Sequence, residues 1–135
     1  LLGGDPGIGK STLLLQISTK LSLQHRVLYT TGEESLQQVT LRARRLELPE
    51  KELFLLTETC VETLIEHAQK HKPEIMVIDS IQTLYTHEVT SAPGSVSQIR
   101  ETTAKLVRYA KQTNTSIFII GHVTKEGTLA GPRVL

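Results

Sequence analysis

The chain has 135 residues, 39% hydrophobic and 21% charged, which is enough to bury the core of one compact domain and unlike a disordered segment. Its formal net charge of +1 neither requires nor excludes a nucleic-acid partner, but 4% aromatic residues without tryptophan argue against a surface that stacks many bases. Cys60 is the single cysteine, so no internal disulfide can form, which suits a reducing cytoplasm. The apolar runs at 75–78 and 117–120 are far too short to span a bilayer, so no membrane partner is expected.

The chain opens on Leu1 almost inside its first motif, and it reads as a piece of a longer protein. Leu1-Leu2 is the expected stub of a strand. It leads into Gly4-Asp5-Pro6-Gly7-Ile8-Gly9-Lys10-Ser11, which meets the phosphate-loop pattern G-x-x-x-x-G-K-[ST]. Each element has a task. The glycines let successive backbone N–H groups converge on one anion, and the helix that follows adds its N-terminal donors. Lys10 supplies a point charge to the β- and γ-phosphates, and Ser11 completes a Mg²⁺ shell. Thr12 is the expected donor to the α-phosphate. Leu14, Ile17 and Leu21 then recur at helical spacing.

Val27-Leu28-Tyr29 reads as a buried strand running into Thr31-Gly32-Glu33-Glu34-Ser35. A carboxylate at a strand's carboxyl end can orient water for in-line attack on the γ-phosphate. Acids at this spacing also suit a helix N-terminus. Glu33 is the expected catalytic acid and Glu34 the capping one, though spacing alone does not separate them. The next helix carries Leu36, Val39, Ala43 and Leu46 on one face and the basic run Arg42, Arg44, Arg45. Arg42 could stack over adenine or reach a neighbouring subunit, or serve only as a solvated helix face.

A strand at 53–56 is followed by a helix with Val61, Leu64, Ile65 and Ala68 in one stripe. Cys60, His67 and His71 are spaced to share a helix face, and the two histidines could bind a transition metal. The metalloprotease pattern fails, because position 68 is Ala where a general-base Glu would stand. A plain solvent-facing flank is the expectation. Ile75-Met76-Val77-Ile78-Asp79 is an apolar strand ending in an acid, which makes Asp79 the expected second Mg²⁺ residue. Ser80 follows it where many such ATPases place a catalytic Glu, so either the chain does not hydrolyse or the base comes from elsewhere, and Glu33 is available.

Residues 83–95 resist a regular reading. Ile99, Thr103, Leu106 and Ala110 mark another helix, which also carries Arg100 and Arg108. The strand at 117–120 ends at Gly121-His122, and 125–132 is again irregular. Strands alternating with helices predict βαβ units, a mostly parallel sheet covered on both faces, and ligands at the strands' carboxyl ends. The only asparagine is Asn114, followed by Thr115, so the Asn-Lys-x-Asp guanine reader is missing and ATP is the expected nucleotide.

The segments LLGGDPGIGKSTLLLQ, VLYTTGEESLQQ, IMVIDSIQTLY and IFIIGHVTKEGTLAGPRVL resemble the RadA (Sms) family of bacterial DNA repair proteins over essentially the whole chain. The most specific pieces are Gly32-Glu33-Glu34-Ser35 and Gly121-His122-Val123-Thr124-Lys125-Glu126-Gly127. The resemblance implies an α/β RecA-like P-loop NTPase core over residues 1–135, without the zinc finger and Lon-like domain that flank it in the family. It further implies a hexameric, ATP-fuelled motor on single-stranded or branched DNA that promotes branch migration beside the RecA recombinase. By the same resemblance, His122 senses the γ-phosphate, and 83–95 and 125–132 correspond to the two pore loops. Lys125 is then the first DNA-phosphate contact to consider, against a solvated loop lysine, and Arg100 the second, on a helix face that more often only meets solvent. Two rival functions remain: an ATP-gated assembly module with little chemistry, and a P-loop kinase. No run of arginines follows the last strand as a kinase lid would require.

Overall fold

The computed structural model describes residues 2–4, 10–45 and 53–122. Strands β1 (Leu2–Gly4), β2 (Val27–Thr31), β3 (Leu53–Leu56), β4 (Ile75–Asp79) and β5 (Ser116–His122) form one sheet in the order β1-β5-β4-β2-β3. Every pairing is parallel. Helices α1 (Lys10–Leu21), α2 (Leu36–Arg45), α3 (Val61–His71) and α4 (Val96–Thr113) alternate with them, as parallel crossovers require. A 3-10 turn, Ile81–Thr83, follows β4.

Alternation along the strands divides the core between the two faces of the sheet. Leu28, Met76 and Ile78 pack with Val61, Leu64 and Ala68 of α3 and with Ile99, Leu106 and Tyr109 of α4. Val27, Tyr29, Val77 and Ile120 face the other way, onto Leu14 of α1. Leu15 of α1 joins Val39 and Ala43 of α2 on that side. The sheet is therefore covered on both faces, and β2 is buried along its whole length.

The helix faces depart from the expected stripes in two places. Ile17 is 42% exposed and Leu36 48% exposed, although both fall on predicted apolar faces. In α1 the inward arc runs through Leu14, Leu15, Ser18 and Thr19, and on to Ser22 just past the helix. The hydroxyls of these three polar residues bond back to the carbonyls of Leu14, Gln16 and Thr19, so their burial leaves no unmet donor. Val39, Ala43, Val61, Leu64, Ala68, Ile99 and Leu106 are buried as the spacing predicts.

Local chemistry sets the ends of the elements. Ser35 and Gln38 form a reciprocal capping box: the Gln38 N–H donates to Ser35 Oγ at 3.2 Å, and the Ser35 N–H donates to Gln38 Oε1 at 2.9 Å. This pair takes the capping role that the sequence offered to Glu34. Lys72 and Asn114 close α3 and α4 in left-handed conformations, and Pro73 prevents α3 from continuing.

Candidate nucleotide site

The parallel register brings the carboxyl ends of the strands together. Gly4 pairs with His122, Thr31 with Asp79, and Asp79 with Ile120. The start of the phosphate loop, the strand-end acid, the Gly32-Glu33 segment and His122 thus share one edge of the sheet, where open α/β sheets bind ligands. Asp5, Pro6, Gly7, Ile8, Gly9 and Lys125 lie outside the described residues. Lys10 and Ser11 stand in the first turn of α1, with Thr12 next.

Asp79 is 2% exposed, and its Oδ2 accepts a hydrogen bond of 3.2 Å from the Tyr29 hydroxyl. Burial first, and then the Asp79 charge, push the Tyr29 phenol far above its ordinary range, so it remains a donor. A buried carboxylate offers the hard oxygen that Mg²⁺ prefers, so Asp79 fits the expected ion. The backbone links Asp79 to the β2 end as well, since the Gly32 N–H donates to the Asp79 carbonyl at 2.9 Å.

The two adjacent acids are separated by their partners. Arg42 grips Glu34 with both terminal nitrogens: Nη1 donates to Oε1 at 2.8 Å and Nη2 to Oε2. The bond to Glu34 is the main reason that the Arg42 cation is held above its ordinary pKa. Glu33 is exposed, and its Oε1 accepts a 3.1 Å hydrogen bond from the buried Ser80 hydroxyl, beside Asp79. Both acids have their backbone N–H groups turned onto Thr31 Oγ1 at 3.3 Å. Glu33 is therefore tied to Ser80, the residue that follows the strand-end acid, whereas Glu34 is paired with Arg42 of α2.

Ser80 matters as a partner, and the sequence marked it only as the position of a missing Glu. Tyr29 gave no signal beyond that of a strand residue. Gly32 has a steric requirement. A Cβ there would lie 2.2 Å from Thr83 Oγ1 and 2.5 Å from Thr83 Cβ. Arg44, Arg45, Arg100 and Arg108 are exposed. Residues 84–95 are irregular as expected, yet firmly held. The buried Gln98 amide donates to the carbonyls of Val89 (3.1 Å) and Ser91 (2.8 Å), and its oxygen accepts from the Thr86 N–H (2.9 Å). A cavity lined by Arg26, Lys72, Glu74 and Tyr109 opens at the amino ends of the strands, away from this edge.

Parallel sheet, covered faces, phosphate-loop sequence and convergent strand-end acids define an α/β nucleotide-binding core of the RecA-like P-loop type. The chain belongs to the AAA domain family, whose model matches residues 1–128. It is similar along its full length to the DNA repair protein RadA of Pseudomonas aeruginosa, with 62% identity over 135 residues. It is likewise 56% identical to the DNA repair proteins RadA of Escherichia coli and Streptococcus pneumoniae. The chain spans 29% to 32% of the length of these relatives. Among the described residues, no helix is long and apolar enough to cross a membrane.

Proposed function

We propose that this chain is the ATP-binding and hydrolysing core of a DNA repair motor, with Glu33 orienting the attacking water. The observation that carries the assignment is the division of the acids: Arg42 takes both oxygens of Glu34, while Glu33 accepts from Ser80, the residue after Asp79. Gly4, Asp5, Pro6, Gly7, Ile8 and Gly9 would cradle the phosphates with backbone N–H groups. Lys10 would meet the β- and γ-phosphates, and Thr12 the α-phosphate. Ser11 and Asp79 would hold Mg²⁺, which supplies neutralisation of the phosphate charge that builds during transfer. The edge of the Arg42 guanidinium is occupied by Glu34, but a planar cation can pair at its edge and still offer a face to adenine.

His122 ends β5 beside Gly4, a position from which it could report the γ-phosphate to the residues that follow. Lys125 and the exposed Arg100 are the proposed contacts to DNA phosphates. The similarity to DNA repair proteins supports single-stranded or branched DNA as partner. A hexameric ring, promotion of branch migration and work beside the RecA recombinase in a bacterial cytoplasm belong to the same proposal.

The test is phosphate release measured with and without single-stranded DNA, alongside calorimetry of ATP-analogue binding. Lys10→Ala should weaken binding at least tenfold, or about 1.4 kcal/mol. Unchanged affinity would reject the phosphate-loop assignment. ATP binding without turnover under any condition would favour an ATP-gated assembly module.

A further inference from the structure

Cys60 precedes α3 at its capping position, yet its side chain caps nothing. It is 3% exposed, and its Sγ lies 3.6 Å from Glu62 Oε1. The backbone brings a second segment alongside. Cys60 and Tyr85 form an isolated parallel bridge, in which the Tyr85 N–H donates to the Thr59 carbonyl and the Val61 N–H to the Tyr85 carbonyl, both at 2.9 Å. That bridge delivers residues 86 and 87 to the same carboxylate. Thr86 Oγ1 donates to Glu62 Oε2 at 2.6 Å, and the His87 N–H donates to Oε1 at 3.1 Å. The His87 ring stands edge-on to Tyr85, with centroids 5.4 Å apart. One ligand atom from each of Cys60, Glu62 and His87 then falls within 4.8 Å of the others.

We propose that Cys60, Glu62 and His87 form a binding site for a borderline-soft divalent metal of the zinc class, with a fourth position left to water. Sulfur, imidazole nitrogen and carboxylate oxygen are the donor types zinc takes, and three protein ligands with one open position is a recurrent arrangement. Donors sharing one zinc at about 2.0–2.3 Å lie roughly 3–4 Å apart, so the cluster must close by about an ångström. His87 is exposed and can turn inward to supply that movement. On binding, the Cys60 thiol loses its proton to solvent, and a sulfur–metal bond replaces the weak S–H contact to Glu62. The proton's departure frees the Oε1 lone pair for the same ion. The hydrogen bonds from Thr86 Oγ1 and the His87 N–H hold the Glu62 carboxylate in place beside Cys60. Lys105 sits 3.8 Å from Glu62 Oε2 and 2.8 Å from Glu88 Oε2, so its charge is shared with the rim.

The arrangement differs from the one that the spacing suggested. Helical rise carries His67 about 10 Å beyond Cys60. His71 instead packs on Phe54 with centroids 4.5 Å apart. A metal at the proposed site would fasten residues 85–88 to the start of α3, independently of any nucleotide.

The experiment is a Co²⁺ titration of the chain, made without a histidine tag and kept reduced with a phosphine. Cys60 is the only cysteine, so a thiolate-to-cobalt charge-transfer band reports this site alone, and the His67–His71 pair cannot produce it. The band should saturate at one Co²⁺ per chain, disappear on addition of Zn²⁺ and be absent in Cys60→Ser. In His87→Ala, a surface change that the fold should tolerate, apparent affinity should fall at least tenfold. Absence of the band at saturating Co²⁺, or a band of unchanged affinity in His87→Ala, would overturn the proposal.

Discussion

Gly32→Ala adds one methyl group at the hinge between β2 and Glu33. The new Cβ would stand 2.2 Å from Thr83 Oγ1, 2.5 Å from Thr83 Cβ and 3.0 Å from Thr59 Cγ2. Carbon contacts are favourable near about 3.5–4.0 Å, so Thr83 or the β2 end must move by more than roughly 1 Å. Thr83 cannot retreat without loss, because its hydroxyl donates to the Ser80 carbonyl at 2.7 Å. Overpacking of this kind costs about 1–3 kcal/mol, or a fall of roughly 3–15 °C in thermal midpoint for a domain of this size. The displacement passes to Ser80 and so to Glu33, and a misplacement of about 1 Å can cost roughly a hundredfold in rate. Thermal unfolding followed by circular dichroism measures the first effect. Thr83→Gly removes both clashing atoms, so Gly32→Ala should be at least about 1 kcal/mol milder in that background. An unchanged midpoint in the single variant, or the same loss in both backgrounds, would refute the steric argument.

Gln98→Ala leaves the carbonyls of Val89 and Ser91 and the Thr86 N–H without their buried partner. The loss should be at least about 2 kcal/mol, read as a fall in midpoint of roughly 6–10 °C. Glu62 is held below its ordinary value of 4.5, so the stability it contributes is present above that value and lost as pH falls through the lower folded pKa. Wild type should therefore exceed Glu62→Gln in thermal midpoint by a constant margin above roughly pH 5, and the margin should shrink in more acidic buffer. A margin that grows on acidification would contradict the assigned direction.

Short continuous apolar runs marked the strands well, because strands buried on both faces leave little room for polar residues. The helix after the phosphate loop was harder to orient. Ser18, Thr19 and Ser22 are buried because their hydroxyls return to nearby carbonyls, and an apolar stripe cannot register that. The apolar stripe therefore points Ile17 inward, although it is exposed. At the site, strand ends and motif spacing located Asp79 and the Glu33-Glu34 pair, but local pattern treats neighbouring acids alike. Their separation depends on Arg42, eight residues beyond Glu34, and on Ser80, 47 residues beyond Glu33. The Cys60–His87 approach likewise comes from a backbone bridge between segments that helical spacing does not connect.

The assignment of Glu33 is tested most directly by ATP turnover in Glu33→Gln and Glu34→Gln, with nucleotide affinity measured in parallel by calorimetry. Glu33→Gln keeps the side chain's shape and its contact to Ser80, but removes the charge that orients water. Turnover should fall roughly a hundredfold or more while ATP affinity is kept. Glu34→Gln breaks the two-pronged grip of Arg42 and should change turnover far less. Abolished turnover in Glu34→Gln with near-normal turnover in Glu33→Gln would contradict the account and transfer the catalytic role to the acid that Arg42 holds.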